Sequence, residues 1–470
     1  MSSTSSSTSS PAMIIMFIMN MMITNVSSSN NGLAQTPPMG WRSWNQYGPN
    51  VTQQLMQHIM SGMVDTSISP DGTTSLCNLG YCDVGLDDNW QACDSPLAAP
   101  GMHYHDIDGN PIVNTTTFPS LKDMTNYAHS LNLTAGFYGN NCICRDHCRN
   151  EAECHKQTRA DVKSFLEWGF DTWKLDGCGG EISIGLFDEY IRELSPDKPI
   201  TIENCHWGLT EEELRERHAT EWLPPPEAGC PSYNFFRSSG DIRPVYGSIL
   251  ANLNSIQQYR NISVPGCWAY PDMLQVGVRR KEDGIIALAA PETRTHFGSW
   301  CIVSSPLLLS HDVYDEEVND HIWDIISNQE AIAVNQAFAG DSGGVYKVSE
   351  TTVCIANCEE EMMKELLPLS DISMSRELKI QTPHMVPTYK YLSKPLGPGK
   401  VAVLLMNSKE EPTELTAIFS DVPGLSSSCD SNTYSVRDIW AHNDMGEFEE
   451  SWSTEVGGHD CAFIVVGCTS

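Results

Sequence analysis

Between about Pro37 and Val313, eight short apolar runs recur, each ending in polar or acidic residues and each followed by enough chain for a helix. The candidate strand ends are Met39-Gly40-Trp41, Val84–Asp88, Ala135–Tyr138, Thr172–Asp176, Ile200–Asn204, Phe235–Arg237, Gly266-Cys267-Trp268 and Ser304–Leu309. This is the βα repeat of a parallel sheet, and eight units match a (β/α)8 TIM barrel. In such a barrel the chemistry collects at the carboxyl ends of the strands, where these polar clusters fall. Asp161–Trp168 reads as an amphipathic helix closed by Gly169 as C-cap.

With 470 residues the chain can bury one large core and a second, smaller one. After about Gly343 the pattern changes to alternating strands without helical spacers, as in Val401–Met406 and Tyr434–Trp440, which predicts an antiparallel β-sandwich. We therefore expect a barrel over 33–340 and a sandwich over 341–470. Residues 1–32 read as a signal peptide or disordered leader. Met13–Ile23 is a methionine-rich apolar run too short to span a bilayer, although no lysine or arginine precedes it, so a signal anchor stays open. Five Asn-x-Ser/Thr acceptors, at Asn25, Asn50, Asn114, Asn132 and Asn261, fit a secretory route ending outside the cell, in a vacuole or in a lysosome.

Sixty acidic residues against 28 basic ones give a net charge of -32, which repels nucleic acid and anionic lipid headgroups. Neither a nucleic-acid partner nor stable membrane insertion is expected. Seventeen cysteines fit an oxidising compartment, and the odd count leaves at least one thiol unpaired. Cys142, Cys144, Cys148 and Cys154, with His147 and His155, could be read as a zinc cluster. Their spacing matches no standard zinc pattern, so disulfides are preferred.

The segment Phe170–Cys178 closes a strand-like run with Lys174 and Asp176 two residues apart, hence on one face. A cation beside a carboxylate keeps it ionised, which suits a nucleophile or an anchor for sugar hydroxyls. A second candidate carboxylate, Asp241, closes Arg237-Ser238-Ser239-Gly240-Asp241. Two carboxylates in separate glycine-flanked turns suggest glycosidic bond cleavage. The bland alternatives are a buried salt bridge for Asp176 and a helix N-cap for Asp241.

Six ordered segments carry a resemblance: Pro37–Asn45, Leu86–Trp90, Gly136–Tyr138, Lys174–Cys178, Ser239–Ile242 and Trp268–Leu274. Over most of residues 36 to 470 the chain resembles family 27 glycoside hydrolases, the α-galactosidases and α-N-acetylgalactosaminidases. The resemblance implies a TIM barrel with a C-terminal sandwich, α-galactoside substrates, no metal or organic cofactor, and a monomer or homodimer. It implies Asp176 as nucleophile and Asp241 as acid/base, about 5 to 5.5 Å apart, acting with net retention. Lys174 would hold Asp176 charged, and that charge would keep Asp241 protonated.

It further implies that Asp87 and Asp88 bind the 4- and 6-hydroxyls of galactose, with Lys174 on the 4-hydroxyl and Arg237 near the 2-hydroxyl. Trp44 and Tyr138 would be apolar walls, and Asp272 with Met273 a pocket rim. Taken alone, the Asp87-Asp88 pair could be a calcium site, a solvated turn or part of a metal-dependent hydrolase. His206 stands where animal relatives carry a glutamate. Its bulk, with Leu209, disfavours a 2-acetamido group, hence galactose over N-acetylgalactosamine. Retention of both Asp87 and Asp88 argues against a β-L-arabinopyranosidase. The non-enzymatic alternative is a galactose-binding barrel without turnover. The family pairs the cysteine equivalent to Cys178 with one on the preceding loop, here Cys142 or Cys144. Cys77 with Cys82 or Cys93, and Cys205 with Cys230, are further expected pairs.

Overall fold

The computed structural model describes residues 31–70, 72–178, 184–205, 229–356, 358, 384–425, 429 and 433–469. The apolar run at Met13–Ile23, the acceptor Asn25, and His206 with Leu209 lie outside the described residues.

Eight parallel strands form one sheet: β1 (Met39–Arg42), β2 (Asp83–Gly85), β3 (Thr134–Gly139), β4 (Thr172–Asp176), β5 (Thr201–Cys205), β6 (Phe235–Arg237), β7 (Trp268–Tyr270) and β8 (Leu307–Leu309). From β1 to β7 each strand pairs with the next in sequence, and β8 returns to pair with β1. The seam between β7 and β8 is bridged by the Leu274 N–H, which donates to the Leu308 carbonyl at 2.9 Å. All eight expected runs overlap their strands, but β2 ends three residues earlier than expected, and β7 and β8 begin two and three residues later. Cys267 is held in a disulfide just before β7, and the Val264 N–H donates to its carbonyl, forming an isolated bridge before that strand starts.

Strand alternation decides what faces the barrel axis. On β4, Trp173 stacks on Phe165 with ring centroids 4.3 Å apart, and Leu175 is buried in the same core. That outward packing turns Lys174 and Asp176 inward. Phe165 belongs to a helix over Glu151–Trp168, capped by the Asn150 side chain at its start and by Gly169, at φ 88°, at its end. Only glycine adopts that left-handed angle without strain.

The C-terminal region is antiparallel. A six-stranded sheet contains β9 (Gly344–Val348), β12 (Tyr389–Gly397), β13 (Lys400–Asn407), β15 (Tyr434–Asp438), β16 (Asn443–Phe448) and β18 (Cys461–Cys468). Two further pairs are β10 (Thr352–Ala356) with β11 (His384–Pro387) and β14 (Thr413–Ile418) with β17 (Ser451–Val456). β13 shows why the sheet is buried on both faces. Val401, Val403 and Leu405 enter a core with Leu415, Ala417 and Trp452, while Ala402, Leu404 and Met406 join the barrel core. The helix Ala290–Ile302 mediates that second contact, and a side chain at Gly298 would collide with Leu404. Among the described residues, no helix is long and apolar enough to cross a membrane.

Candidate active site

Asp176, at the carboxyl end of β4, is only 6% exposed. Its Oδ2 accepts from the Tyr138 hydroxyl at 2.6 Å and its Oδ1 from the Gly177 N–H at 2.7 Å. Tyr138, expected as an apolar wall, is thus also a hydrogen-bond donor to this carboxylate. The Asn140 side-chain amide donates to the Asp176 carbonyl. Burial raises the Asp176 carboxyl above the ordinary range, against the opposing pull of Lys174, Tyr138 and Gly177. The expected pull of Lys174 toward a charged Asp176 is present, but burial outweighs it. Lys174 Nζ makes its salt bridge to Asp87, at 2.8 Å, and desolvation of Asp176 outweighs the remaining attraction.

Asp87 and Asp88 follow β2 and are both buried. Asp87 accepts from Lys174 Nζ and from the Asp88 N–H at 3.0 Å. Asp88 receives four protein donors: the Asn89 N–H and Gln91 Nε2 on Oδ1, and the Cys142 and Ile143 N–H groups on Oδ2, all within 2.7–2.8 Å. A carboxylate has about four acceptor positions; Asp88 Oδ2 ties down the loop after β3, and Oδ1 the segment that follows Asp88 itself.

On β6, buried Arg237 reaches Asp272 at 2.8 Å and Asp241 Oδ1 at 3.2 Å. Its Nη1 donates to Cys205 Sγ at 3.4 Å. The Asp241 side chain is 57% exposed. Asp272 and Met273, expected at the rim, are buried. Asp272 adopts φ 89° and accepts from the Ile242 N–H at 2.8 Å and the Met273 N–H at 2.7 Å, tying the loops after β6 and β7 together. Met273 sits in a small cluster with Phe235, Trp268, Tyr270 and Leu308, against which Trp44 packs. Trp44 opens the single helical turn Trp44–Tyr47 after β1.

Seven disulfides join the described cysteines, including Cys77–Cys82, Cys93–Cys144, Cys142–Cys178 and Cys148–Cys154. Cys178 therefore pairs with Cys142, next to Asp176, whose carboxylate lies within 4.8 Å of both sulfurs. The four cysteines once readable as a zinc cluster are all consumed in these bonds. The expected Cys205–Cys230 pair is absent: Cys230 bonds Cys267, and Cys205, Cys301 and Cys461 are free and buried. Cys205 ends β5 level with Asp176, on the inward face beside Arg237, whereas Cys267 directly precedes β7, the strand paired with β6.

Glu203, Arg42, Asp83 and Tyr270 also belong to the inner layer and were not singled out from the sequence. Glu203 stands level with Lys174 across β4 and β5, and Arg42 meets Asp83 at 2.5 Å. A glutamate inside the apolar run Ile200–Asn204, with the parity that turns it inward, was the available signal.

A parallel eight-stranded barrel with acidic groups at the ends of β4 and β6, joined to an antiparallel sandwich, defines the class of glycoside-hydrolysing barrels. The family described as Alpha galactosidase A matches residues 36–337, and the Alpha galactosidase C-terminal beta sandwich domain matches 387–466. The alpha-galactosidase of Cyamopsis tetragonoloba is 28% identical over 445 residues, spanning 93% of this chain and 88% of that protein. Alpha-galactosidase I from Mortierella vinacea shares the fold, with a TM-score of 0.68 at 22% identity over 94% of this chain and 99% of that one. So does the alfa-galactosidase from Saccharomyces cerevisiae solved with raffinose, with a TM-score of 0.70 at 18% identity over 94% and 100%. The chain belongs to family 27 of the glycoside hydrolases, the α-galactosidase family.

Proposed function

We propose that this glycosidase is a retaining exo-α-galactosidase, removing terminal α-linked galactose from oligosaccharides or glycoconjugates along a secretory, vacuolar or lysosomal route. Asp176 attacks the anomeric carbon and Asp241 protonates the leaving oxygen, then deprotonates the water that releases the sugar. The observation that carries this reading is the contrast between the two carboxyls. Asp176 is buried and held by two donors, as a nucleophile aimed at one atom must be, while Asp241 is open to solvent, where proton exchange is free. Asp87, salt-bridged to Lys174, is the acceptor for the sugar hydroxyls, with Asp88 holding the adjoining loop. The relative from Cyamopsis and the yeast structure with raffinose favour galactosides as the substrate class.

The test is Asp176→Asn, which keeps the shape and removes the nucleophile. Hydrolysis of a nitrophenyl α-galactoside is expected to fall by at least about 10⁴-fold with the fold intact. Product NMR on the native protein should give the α-anomer first. Substantial residual turnover, or initial release of the β-anomer, overturns the assignment.

A further inference from the structure

Among the described residues, the three cations of the inner layer each have a carboxylate of their own: Arg42 with Asp83 at 2.5 Å, Lys174 with Asp87 at 2.8 Å and Arg237 with Asp272 at 2.8 Å. Glu203 is one carboxyl more. It lies on β5 in register with Lys174 of β4 and Phe235 of β6, is 3% exposed, and its Oε2 meets no hydrogen-bond donor among the described residues. The groups facing it are Arg42 on β1, Lys174 on β4, Cys205 on its own strand, Arg237 on β6, Tyr270 on β7 and Asp272 just after β7.

We propose that Glu203 is a positioning residue of the glycosidase reaction: neutral, it leaves Lys174 with Asp87 and Arg237 with Asp241 and Asp272, and ionised, it draws both cations away and shuts turnover down at alkaline pH. This rests on the assignment of Asp176 and Asp241 proposed above.

The physical reason is competition for a fixed number of cations in a medium of low effective dielectric. An additional buried anion on β5 competes with Asp87 for Lys174, and more weakly with Asp272 and Asp241 for Arg237. Burial raises the Glu203 carboxyl, and although Lys174, Arg42 and Arg237 oppose this, it is pushed up to about 7. Below that pH the side chain is a neutral acid that asks for no counter-charge. Above it, the cations that orient Asp87 and Asp241 are shared with a competitor, and a misplacement of about 1 Å costs on the order of 10²-fold in rate.

The experiment is the pH profile of kcat/KM on a nitrophenyl α-galactoside for the full-length native protein, Glu203→Gln and Glu203→Asp. The glutamine variant is expected to raise the ratio of kcat/KM at pH 8 to that at pH 5 about tenfold over the native ratio, because the group ionising near 7 is gone. The aspartate variant, which still titrates, should keep the alkaline limb. A glutamine profile that superimposes on the native one overturns the proposal. Should Glu203→Gln fail to fold, infrared titration of the native protein decides: a buried protonated carboxyl that ionises near pH 7 supports the role, and its absence overturns it. Asp176→Asn separates the two readings. Turnover by that variant removes the nucleophile assignment, whereas an inactive variant with an unmoved Glu203→Gln profile removes only the role of Glu203.

Discussion

Tyr138 on β3 donates its hydroxyl to Asp176 on β4 at 2.6 Å, and the ring lies 5.1 Å from Lys174 Nζ. One side chain therefore touches both charges that define β4. Tyr138→Phe keeps the ring and removes only the donor. A hydrogen bond to a charged group is worth about 1.5–3 kcal/mol, so kcat should fall roughly 10- to 100-fold, and the acid limb of the rate profile should move to higher pH as Asp176 loses a stabilising donor. Steady-state kinetics between about pH 4 and 7 checks both effects. An unchanged acid limb would count against the bond.

Asp241 is the more exposed of the two proposed catalytic carboxyls and touches Arg237 at 3.2 Å. As a proton donor it matters most when the departing alcohol is poor. Asp241→Asn should lose at least about tenfold less activity on a dinitrophenyl α-galactoside than on an alkyl α-galactoside. Equal losses on the two substrates would sink the acid role.

The Cys142–Cys178 bridge joins the loops after β3 and β4, and the first of these loops supplies two N–H groups to Asp88. Replacing both cysteines with serine should release that loop. We expect a loss of about 2–4 kcal/mol in stability and a fall in kcat/KM at temperatures well below the melting midpoint. Activity that declines only in step with unfolding would show the bridge to be structural alone.

His105 is buried between Asp146, at 2.9 Å, and Asp161, at 3.0 Å. Burial alone would lower its pKa, but the two carboxylates overcome this and push it up to about 9. Because the folded value exceeds the unfolded one of about 6.5, the stabilisation is fully present below pH 6.5 and is lost as pH rises through 9. It is on the order of 3 kcal/mol. Melting curves of the two proteins should show the native protein more stable than His105→Gln at pH 6, with the difference shrinking between about pH 7 and 10. Parallel curves for the two proteins would refute the clamp.

Lys394 on β12 is buried with no carboxylate partner among the described residues, its Nζ donating to the Val334 and Asn335 carbonyls at 2.6 and 2.9 Å. Burial lowers it to about 7, against weaker opposition from Cys301 and Asp341. Between that value and about 10.5 the unfolded chain binds the extra proton, so this group's contribution to stability rises with pH. The stability of Lys394→Met relative to the native protein should therefore decline from pH 7 to pH 10. Chemical denaturation at the two pH values measures it, and a constant difference would be contrary.

Much of the site was legible because parity is local. Thr172–Asp176 forms a strand with the expected bounds, and Lys174 and Asp176 share its inward face since Trp173 and Leu175 need the helical side. Asp87 and Asp241 lie in the loops that follow β2 and β6, at the carboxyl end of the barrel. Less legible was the partner each charge takes. Lys174 binds Asp87 and not its strand neighbour Asp176, and Arg237 divides itself between Asp272 and Asp241.

The chain alone thus determined the number and direction of the strands, the change to alternating β-structure near Gly343, and which side chains turn toward the axis. These follow from apolar periodicity, a property of a few consecutive residues. Only the tertiary structure decided that Cys230 joins Cys267 and leaves Cys205 unpaired, that Asp88 holds the Cys142 loop, and that Glu203 has no cation of its own among the described residues. Those outcomes depend on distances across the barrel between residues far apart in the chain, and no local pattern carries them.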